Sequence, residues 1–322
     1  MPDVDKPAVL EPGGANAIGR MLGLLGDEWN LVIIQQALMG ASRYNHFMTR
    51  LPVSNSVLTG RLRLLVEEGL LTRHAYRSTR ARTEYLTTPR SRSLWPVLLS
   101  VWEWERTWVP GHAEQLPAMR HADCGAQFSP LLRCSGCQNP VNPTDVVLTL
   151  GLSGQWGRSA PAATTRRRSD SGTAARQAGL FPETMSVLGN RWAAALLLST
   201  FLGTTRFTDF QTQLGTPPSL LAQRLQTFCS IGVLASMPMA DRSGDERGAY
   251  LLTDKGRAFL PVMVAALQWA QRWFHAPEGP AVVLSHRGCG TAFAGELACD
   301  RCGQRLAGAR VAISQVEVAG IP

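Results

Sequence analysis

Residues 43–71 read RYNHFMTRLPVSNSVLTGRLRLLVEEGLL, and this stretch predicts two helices joined by a short turn. Its apolar residues recur three, four or seven positions apart, which is the spacing of a buried helical stripe. The stripe consists of Phe47, Leu51, Leu58, Leu62 and Leu65. Pro52 ends the first helix because it lacks a backbone N–H. Ser54 is a suitable N-cap for the second helix, and Gly69 suits the left-handed position that ends it.

The other side of the second predicted helix is small, polar or basic. It carries Asn55, Ser56, Thr59, Gly60 and Arg63. A helix face of this kind fits into the major groove of DNA and can hydrogen-bond to the edges of the bases. The two helices together therefore predict a helix-turn-helix motif.

The same pattern returns 163 positions later, in residues 206–234. It ends with Gly232 and Leu234, where the first copy ends with Gly69 and Leu71. A single helix-turn-helix pattern often arises by chance, but two copies in one register indicate an internal duplication.

Each motif is followed by a polar stretch and a return to strand-like residues, which predicts a β-hairpin, or wing. Tyr85 and Tyr250 mark the second strands and are 165 positions apart, so the second wing carries a two-residue insertion. Residues 73–92 contain six arginines and one acidic residue, whereas residues 238–257 contain four basic and four acidic residues. We therefore expect the first unit to bind DNA more tightly.

A His-x2-Cys-x9-Cys-x2-Cys pattern follows each unit. The first set is His121, Cys124, Cys134 and Cys137, and the second set is His286, Cys289, Cys299 and Cys302. One nitrogen and three sulfurs complete a tetrahedral zinc site and leave no position for a reacting water. We predict that each set forms a small zinc-ribbon-like hairpin that holds one structural Zn²⁺, which gives two ions per chain. Redox-active thiols beside an incidental histidine, or a zinc site that responds to oxidants, are the alternatives.

Several motifs of the first unit resemble those of the HxlR-type winged helix-turn-helix regulators of bacteria. They are Gly26-x-x-Trp29, Gly40-x-x-Arg43-Tyr44-x-x-Phe47, Leu58-x-x-Arg61-Leu62 and Tyr85-x-x-Thr88. The likeness covers residues 20–110 and 183–275. It implies a DNA-binding transcriptional regulator with a winged-helix core. Regulators of this family act as homodimers with one unit per chain, so a chain with two units is expected to be a covalent pseudo-dimer.

We predict a mainly α fold with a small β content, built from two tandem winged helix-turn-helix domains that each carry a zinc-ribbon-like appendage. The boundaries are a disordered N-terminus at 1–15, the first winged helix at 16–112, its ribbon at 113–152, a basic linker at 153–176, the second winged helix at 177–277 and its ribbon at 278–322. The linker is predicted from its content of Ser, Thr, Ala and Arg.

Composition narrows the class of protein. The 322 residues include 45% hydrophobic and 17% charged residues, as in a globular protein. The net charge of +8 favours a polyanionic partner. Neither an export signal nor an apolar stretch of membrane-spanning length is evident, so we expect a cytoplasmic protein with no membrane partner. Phosphate-binding and hydrolase motifs are also absent from the sequence, which favours a non-enzymatic function.

The predicted partner is double-stranded DNA, bound by the recognition helices and the wings. The candidate DNA-binding residues are Ser54, Asn55, Ser56, Thr59, Arg61, Arg63, Arg73, Arg77, Arg80, Arg82, Ser219, Gln223, Arg224, Arg242 and Arg247. A second winged helix that binds a partner protein, association of two chains, and a small-molecule or redox effector remain open. Six tryptophans either line an effector pocket or, as we expect, pack the core and the contact between the units. They are Trp95, Trp102, Trp104, Trp108, Trp269 and Trp273.

Overall fold

The protein is described from a computed structural model, in which residues 4–76, 82–159, 181–240 and 246–314 are described. The predicted mixture of many helices with a few short strands is confirmed. Within these ranges, every helix is too short or too polar to cross a lipid bilayer.

The first unit is a winged helix-turn-helix with its elements in the predicted order. They are β1 Ala8–Val9, α1 Ala17–Leu25, α2 Glu28–Leu38, α3 Tyr44–Arg50, α4 Asn55–Glu67, β2 Leu71–Tyr76, β3 Arg82–Thr87, α5 Pro89–Arg92 and α6 Trp95–Trp108. All five residues of the predicted apolar stripe are buried. Strands β2 and β3 pair as an antiparallel hairpin, which is the first wing.

The second unit repeats this architecture. After α7 His112–Gln115 and α8 Trp156–Ser159, its elements are α9 Pro182–Val187, α10 Arg191–Phe201, α11 Phe207–Leu214, α12 Pro218–Ser230, β7 Leu234–Ala240, β8 Glu246–Leu252, α13 Asp254–Arg257, α14 Leu260–Trp273 and β9 Phe274–His275. The counterparts of the stripe residues are again buried. They are Phe210, Leu214, Leu221, Leu225 and Phe228. The duplication inferred from the sequence is therefore a duplication of the fold.

The ribbon strands of the two repeats pair with each other. They are β4 Met119–His121, β5 Pro130–Cys134, β6 Val146–Leu150, β10 Val282–His286, β11 Gly295–Cys299 and β12 Val311–Ile313. The antiparallel pairs are β4 with β12, β5 with β11 and β6 with β10. Leu132 lies opposite Leu297, its own counterpart, so the β5–β11 pair lies on a pseudo-two-fold axis.

The prediction of two separate ribbons, at 113–152 and 278–322, is therefore wrong. A lone ribbon of three- to five-residue strands buries little apolar surface and is marginal in stability. The two repeats carry equivalent strands with the same hydrogen-bonding edges. A strand of one repeat can therefore pair with a strand of the other repeat instead of with its own. The two segments form one joint module.

Helices α6 and α14 pack against each other and join the two winged helices. The indole N–H of Trp104 donates to the carbonyl of Lys255 at 2.9 Å, and that of Trp269 donates to the carbonyl of Arg90 at 2.9 Å. These two bonds are reciprocal, since the residues occupy matching positions in the repeats. The expectation that the tryptophans pack the core and the contact between the units is confirmed for this pair.

The two units also meet at the start of α2 and α10. Asp27 and Asn190 form an antiparallel β-bridge across the pseudo-two-fold axis. The side chain of each residue caps its own helix, Asp27 by accepting from Trp29 and Asn190 by accepting from Trp192. Gly26 is needed here because a Cβ would lie 2.8 Å from the Cα of Arg191. The glycine of the Gly-x-x-Trp motif thus permits close approach of the two backbones.

The N-terminal segment is ordered over residues 4–15, which corrects the predicted disorder of 1–15. Strand β1 pairs in parallel with β9 of the second unit. The guanidinium of Arg90 donates to the carbonyl of Lys6 at 3.1 Å. The composition of the segment suggested disorder, but hydrogen bonds to distant parts of the chain hold it in place.

The predicted linker at 153–176 begins inside the fold. Trp156 and Ser159 are buried, and the Asn16 amide donates to Ser153 O at 2.7 Å and to Ser159 Oγ at 2.6 Å. These bonds attach residues 153–159 to α1 of the first unit. The rest of the predicted linker, 160–176, lies outside the described residues.

Candidate nucleic-acid interface and metal clusters

Helix α4 presents the predicted DNA-reading face to solvent. Ser54 caps it, accepting a hydrogen bond from the N–H of Val57 at 3.4 Å. The inner face is buried, while Asn55, Ser56, Thr59 and Arg63 are exposed. An exposed row of hydroxyl, amide and guanidinium groups can bond to base edges and phosphates together.

Tyr44 is a further residue of this face that the sequence reasoning did not select. Its hydroxyl lies 3.0 Å from Asn55 Oδ1 and 3.4 Å from Thr59 Oγ1. The phenol thus contacts two of the predicted reading groups and can orient them. The available signal was the Arg43-Tyr44 motif, which becomes Arg206-Phe207 in the second unit and there loses the hydroxyl.

Arg61 was predicted to bind DNA, but it faces the protein. Its guanidinium lies 2.7 Å from Asp27 Oδ2, and the two side chains are 21% and 6% exposed. Asp27 caps α2, so the pair fastens the recognition helix to the preceding helical core. Arg224, the counterpart in the second unit, is also half-buried. The contact with Asp27 therefore gives Arg61 a structural role.

Replacing Arg61 and Arg63 separately should show which of the two arginines stabilises the fold. Arg61→Ala leaves Asp27 buried without its cation and should lower the free energy of unfolding by about 1–3 kcal/mol. Arg63 is 79% exposed and only loosely paired with Glu67, so Arg63→Ala should change stability by less than about 0.5 kcal/mol. Urea unfolding of both variants is the measurement. Equal losses would contradict the assignment of Arg61.

The first wing places Arg73 on the exposed side of β2, opposite Tyr85. Arg77 and Arg80 lie outside the described residues, as does the side chain of Arg82. The only acidic residue of this wing, Glu84, is bound by Arg43, whose Nε lies 3.0 Å from Glu84 Oε1.

Arg90 does not contribute to the basic surface of the wing, although it falls within residues 73–92. Its side chain is buried, and the guanidinium donates to the carbonyl of Glu68 at 2.6 Å. It also lies over the rings of Trp273 and Phe274. Arg90 is thus a contact between the two units.

The second recognition helix, α12, exposes fewer polar groups than α4. Ser219 and Gln223, two of the candidate DNA-binding residues, are exposed. The helix starts at Pro218 without a side-chain cap. Arg242 and the side chain of Arg247 lie outside the described residues. In the described part of the second unit, the candidate interface is smaller than in the first.

The eight predicted metal ligands form two clusters, but their grouping differs from the prediction. One cluster contains His121, Cys124, Cys299 and Cys302, and the other contains Cys134, Cys137, His286 and Cys289. Each cluster takes two ligands from each repeat. The cause is the pairing of ribbon strands across the pseudo-two-fold axis, which brings the His-x2-Cys turn of one repeat beside the Cys-x2-Cys turn of the other.

The geometry of both clusters fits a tetrahedral zinc ion. Bond lengths of about 2.3 Å to sulfur and 2.0–2.1 Å to nitrogen imply ligand separations of about 3.8 Å between sulfurs and 3.5 Å between nitrogen and sulfur. In the first cluster, Cys124 Sγ lies 3.9 Å from Cys299 Sγ and 3.5 Å from His121 Nδ1. In the second, His286 Nδ1 lies 3.5 Å from Cys137 Sγ. These clusters can each hold a metal ion.

The surroundings favour the metal-binding forms of His121, Cys124 and Cys289, whereas burial raises the pKa of Cys299. Asp123 Oδ2 lies 3.2 Å from His121 Nε2, as a carboxylate that orients a metal-bound imidazole would. A hydrogen bond from the Ala126 backbone lowers the pKa of Cys124 to about 7. Hydrogen bonds from the hydroxyl and backbone of Thr291 lower the pKa of Cys289 to about 6. Thiolates, not thiols, bind metals.

These features define a class of protein. A recognition helix, a supporting helix and a β-hairpin wing, present twice in one chain, make a tandem winged helix-turn-helix protein of the DNA-binding type. The chain belongs to the HxlR-like helix-turn-helix family, whose pattern matches residues 24–113 and 187–278. The resemblance stated from the motifs is confirmed.

Similar proteins are transcriptional regulators by name. An HTH-type transcriptional regulator of Mycobacterium tuberculosis (strain ATCC 25618 / H37Rv) is 32% identical over 122 residues, covering 38% of this chain and 76% of the relative. The regulator YvaP of Bacillus subtilis (strain 168) is 31% identical over 91 residues, covering 28% and 84%. The crystal structure of PA1607, described as a candidate transcription factor, covers 42% of this chain and 93% of its own at 33% identity and a TM-score of 0.37.

Proposed function

We propose that the chain is a cytoplasmic, sequence-specific DNA-binding regulator of the repressor type. The observation that carries this proposal is the exposed polar face of α4, with Asn55, Thr59 and Arg63, together with the exposed Arg73 of the wing. In this arrangement α4 enters the major groove, and the wing contacts phosphates or the adjacent minor groove. Repression follows where the bound site overlaps a promoter.

The two units act as a covalent pseudo-dimer in this proposal. It is supported by the reciprocal bonds of Trp104 and Trp269 and by the pairing of Leu132 with Leu297. Contacts that repeat about a two-fold axis characterise the interface of a symmetric dimer. A pseudo-two-fold protein favours an imperfect inverted repeat, with half-sites about 34–36 Å apart.

We further propose that each Cys/His cluster holds one structural Zn²⁺. The ion would supply cross-linking only, because four protein ligands leave no open coordination position. Each zinc would join the first repeat to the second. This assignment suits a chain whose ribbon strands are too short to be stable without added constraints.

Selection of genomic fragments by the purified full chain tests DNA binding. We expect retained fragments that share an imperfect inverted repeat, and an affinity that falls steeply as salt rises. A reporter carrying such a fragment should be repressed when the protein is present. Failure to retain any fragment at low salt would contradict the proposal.

A second candidate is a protein-interaction role for the second winged helix. It is favoured by the exposed Met237 on β7 and by the few polar groups on α12. In that case the first unit alone would bind DNA, and the selected fragments would contain a single half-site. A two-fold repeat in the fragments would exclude this role for DNA-bound protein.

A further inference from the structure

A cavity of about 250 Å³ lies where the end of α2, α6 and the joint ribbon module meet. Its walls are formed by the end of α2, by α6 and by residues of β4 and β12. Trp95, Leu98 and Trp102 form the α6 wall, and the exposed Met39 and Ile313 also line the cavity. All of the lining residues are uncharged. The cavity is smaller than the roughly 300–1,000 Å³ of drug-sized sites, so it suits a ring system of one or two rings.

Two glutamines, Gln35 and Gln36, line this otherwise apolar cavity, and Gln36 is the more buried of the two. Its side chain lines the cavity and is only 7% exposed. Among the described residues, its amide has no hydrogen-bond partner. The amide atoms remain accessible from the cavity, so a bound apolar ring would bury them, which is favourable only if they gain a hydrogen-bond partner. A ligand with a donor or acceptor would satisfy it.

The second unit lacks these features at the matching positions. Gln36 corresponds to Ser199, whose hydroxyl donates to Gln213 Oε1 at 2.7 Å. Trp95 and Trp102 correspond to Leu260 and Leu267. Val311 and Ile313 correspond to Val146 and Leu148, which are buried. The unpaired amide and the aromatic wall are thus particular to the first unit and are not consequences of the fold.

We propose that this cavity binds a neutral, flat aromatic molecule with one hydrogen-bonding group, which pairs with Gln36. Trp102 offers only its ring, because its indole N–H already donates to the Pro117 carbonyl at 2.9 Å. A charged ligand is disfavoured because the lining supplies no opposite charge.

The cavity is placed to affect DNA binding. Met39 ends α2 directly before the turn into α3, and Arg50 of α3 donates to the Met39 carbonyl at 3.4 Å. A ligand that contacts Met39, α6 and β12 together would fix the first recognition helix relative to the ribbon module. This regulatory step rests on the proposed DNA-binding function, whereas binding of the ligand does not.

Calorimetric titration of the zinc-loaded full chain with 2-naphthol tests the proposal. We expect saturable one-to-one binding, and at least tenfold weaker binding of 2-naphthoate, since its carboxylate would be desolvated without a partner. Gln36→Leu removes the amide but keeps the volume, and should weaken 2-naphthol binding by about two- to tenfold. Leu98→Trp fills the cavity and should abolish binding.

Ser199→Ala, at the matching position of the second unit, is the control and should bind 2-naphthol like the parent. Gln36→Leu should remain folded, because it replaces an unpaired polar group with an apolar one. No saturable binding to the parent up to 1 mM, or equal affinity in Leu98→Trp, overturns the proposal. Binding of 2-naphthol by a protein that retains no DNA would overturn the proposed regulator and leave the ligand site standing.

Discussion

The double variant Cys124→Ser/Cys299→Ser should keep one zinc ion per chain. Both cysteines belong to the cluster with His121 and Cys302, so the second cluster keeps all four of its ligands. The lost cluster should also lower the free energy of unfolding, because metal binding contributes directly to folding. Elemental analysis of the monodisperse protein, purified without added metal, gives the zinc content.

The matched control is Cys124→Ser/Cys134→Ser, which should lose both ions. Cys134 and Cys299 occupy equivalent, buried positions in the two repeats. The two variants therefore differ only in whether the second substitution falls in the same cluster as Cys124 or in the other cluster. Ligands grouped within each repeat would give the opposite pattern, with both ions lost from the first variant and one from the second. A parent protein that is folded without any metal would contradict the zinc assignment itself.

Removing Arg80 and Arg82 should weaken DNA binding by about tenfold or more at moderate salt and flatten its salt dependence. Each lost phosphate contact reduces the slope of log K against log salt by about 0.9. Arg242→Ala/Arg247→Ala should have a smaller effect, because Asp241, Asp245 and Glu246 offset the charge of the second wing. A salt titration of both double variants beside the parent is the measurement.

Equal losses in the two double variants would show that the second wing contacts DNA as fully as the first. Unchanged binding in both would place the electrostatic contacts elsewhere, whereas a loss confined to the first-wing variant would favour a protein-interaction role for the second winged helix. Arg63→Ala provides a reference within the same experiment. It removes an exposed guanidinium from α4 without disturbing the fold, so it should weaken binding to the specific site more than binding to unrelated DNA.

The sequence was sufficient to predict the two winged helices, since helix periodicity, caps and turn residues are local properties. It also identified, from their spacing, all eight residues that form the two Cys/His clusters. It could not predict their grouping, because both repeats offer one histidine and three cysteines and either pairing completes a tetrahedral set. Only the choice of strand partners distinguishes the two arrangements, and that choice depends on the whole fold.

Other differences have the same origin in distant contacts. Arg61 has the charge and position of a DNA contact, but Asp27, on the preceding helical core, binds it. Residues 4–15 have the composition of a flexible tail, but β9 offers them a free strand edge. The unpaired amide of Gln36 was also invisible in the sequence, because an apolar helix often carries a satisfied glutamine.

The pairing of ribbon strands between the two repeats determines the order in which each cluster is completed during synthesis. Chains emerge from the ribosome N-terminus first, so His121, Cys124, Cys134 and Cys137 appear before the strands that complete their clusters. At typical rates of translation, β10 and β11 are synthesised roughly ten to thirty seconds after these residues. During that interval a neighbouring nascent chain can supply the missing strands. We therefore expect slow translation of the second half to favour exchange of these strands between neighbouring chains.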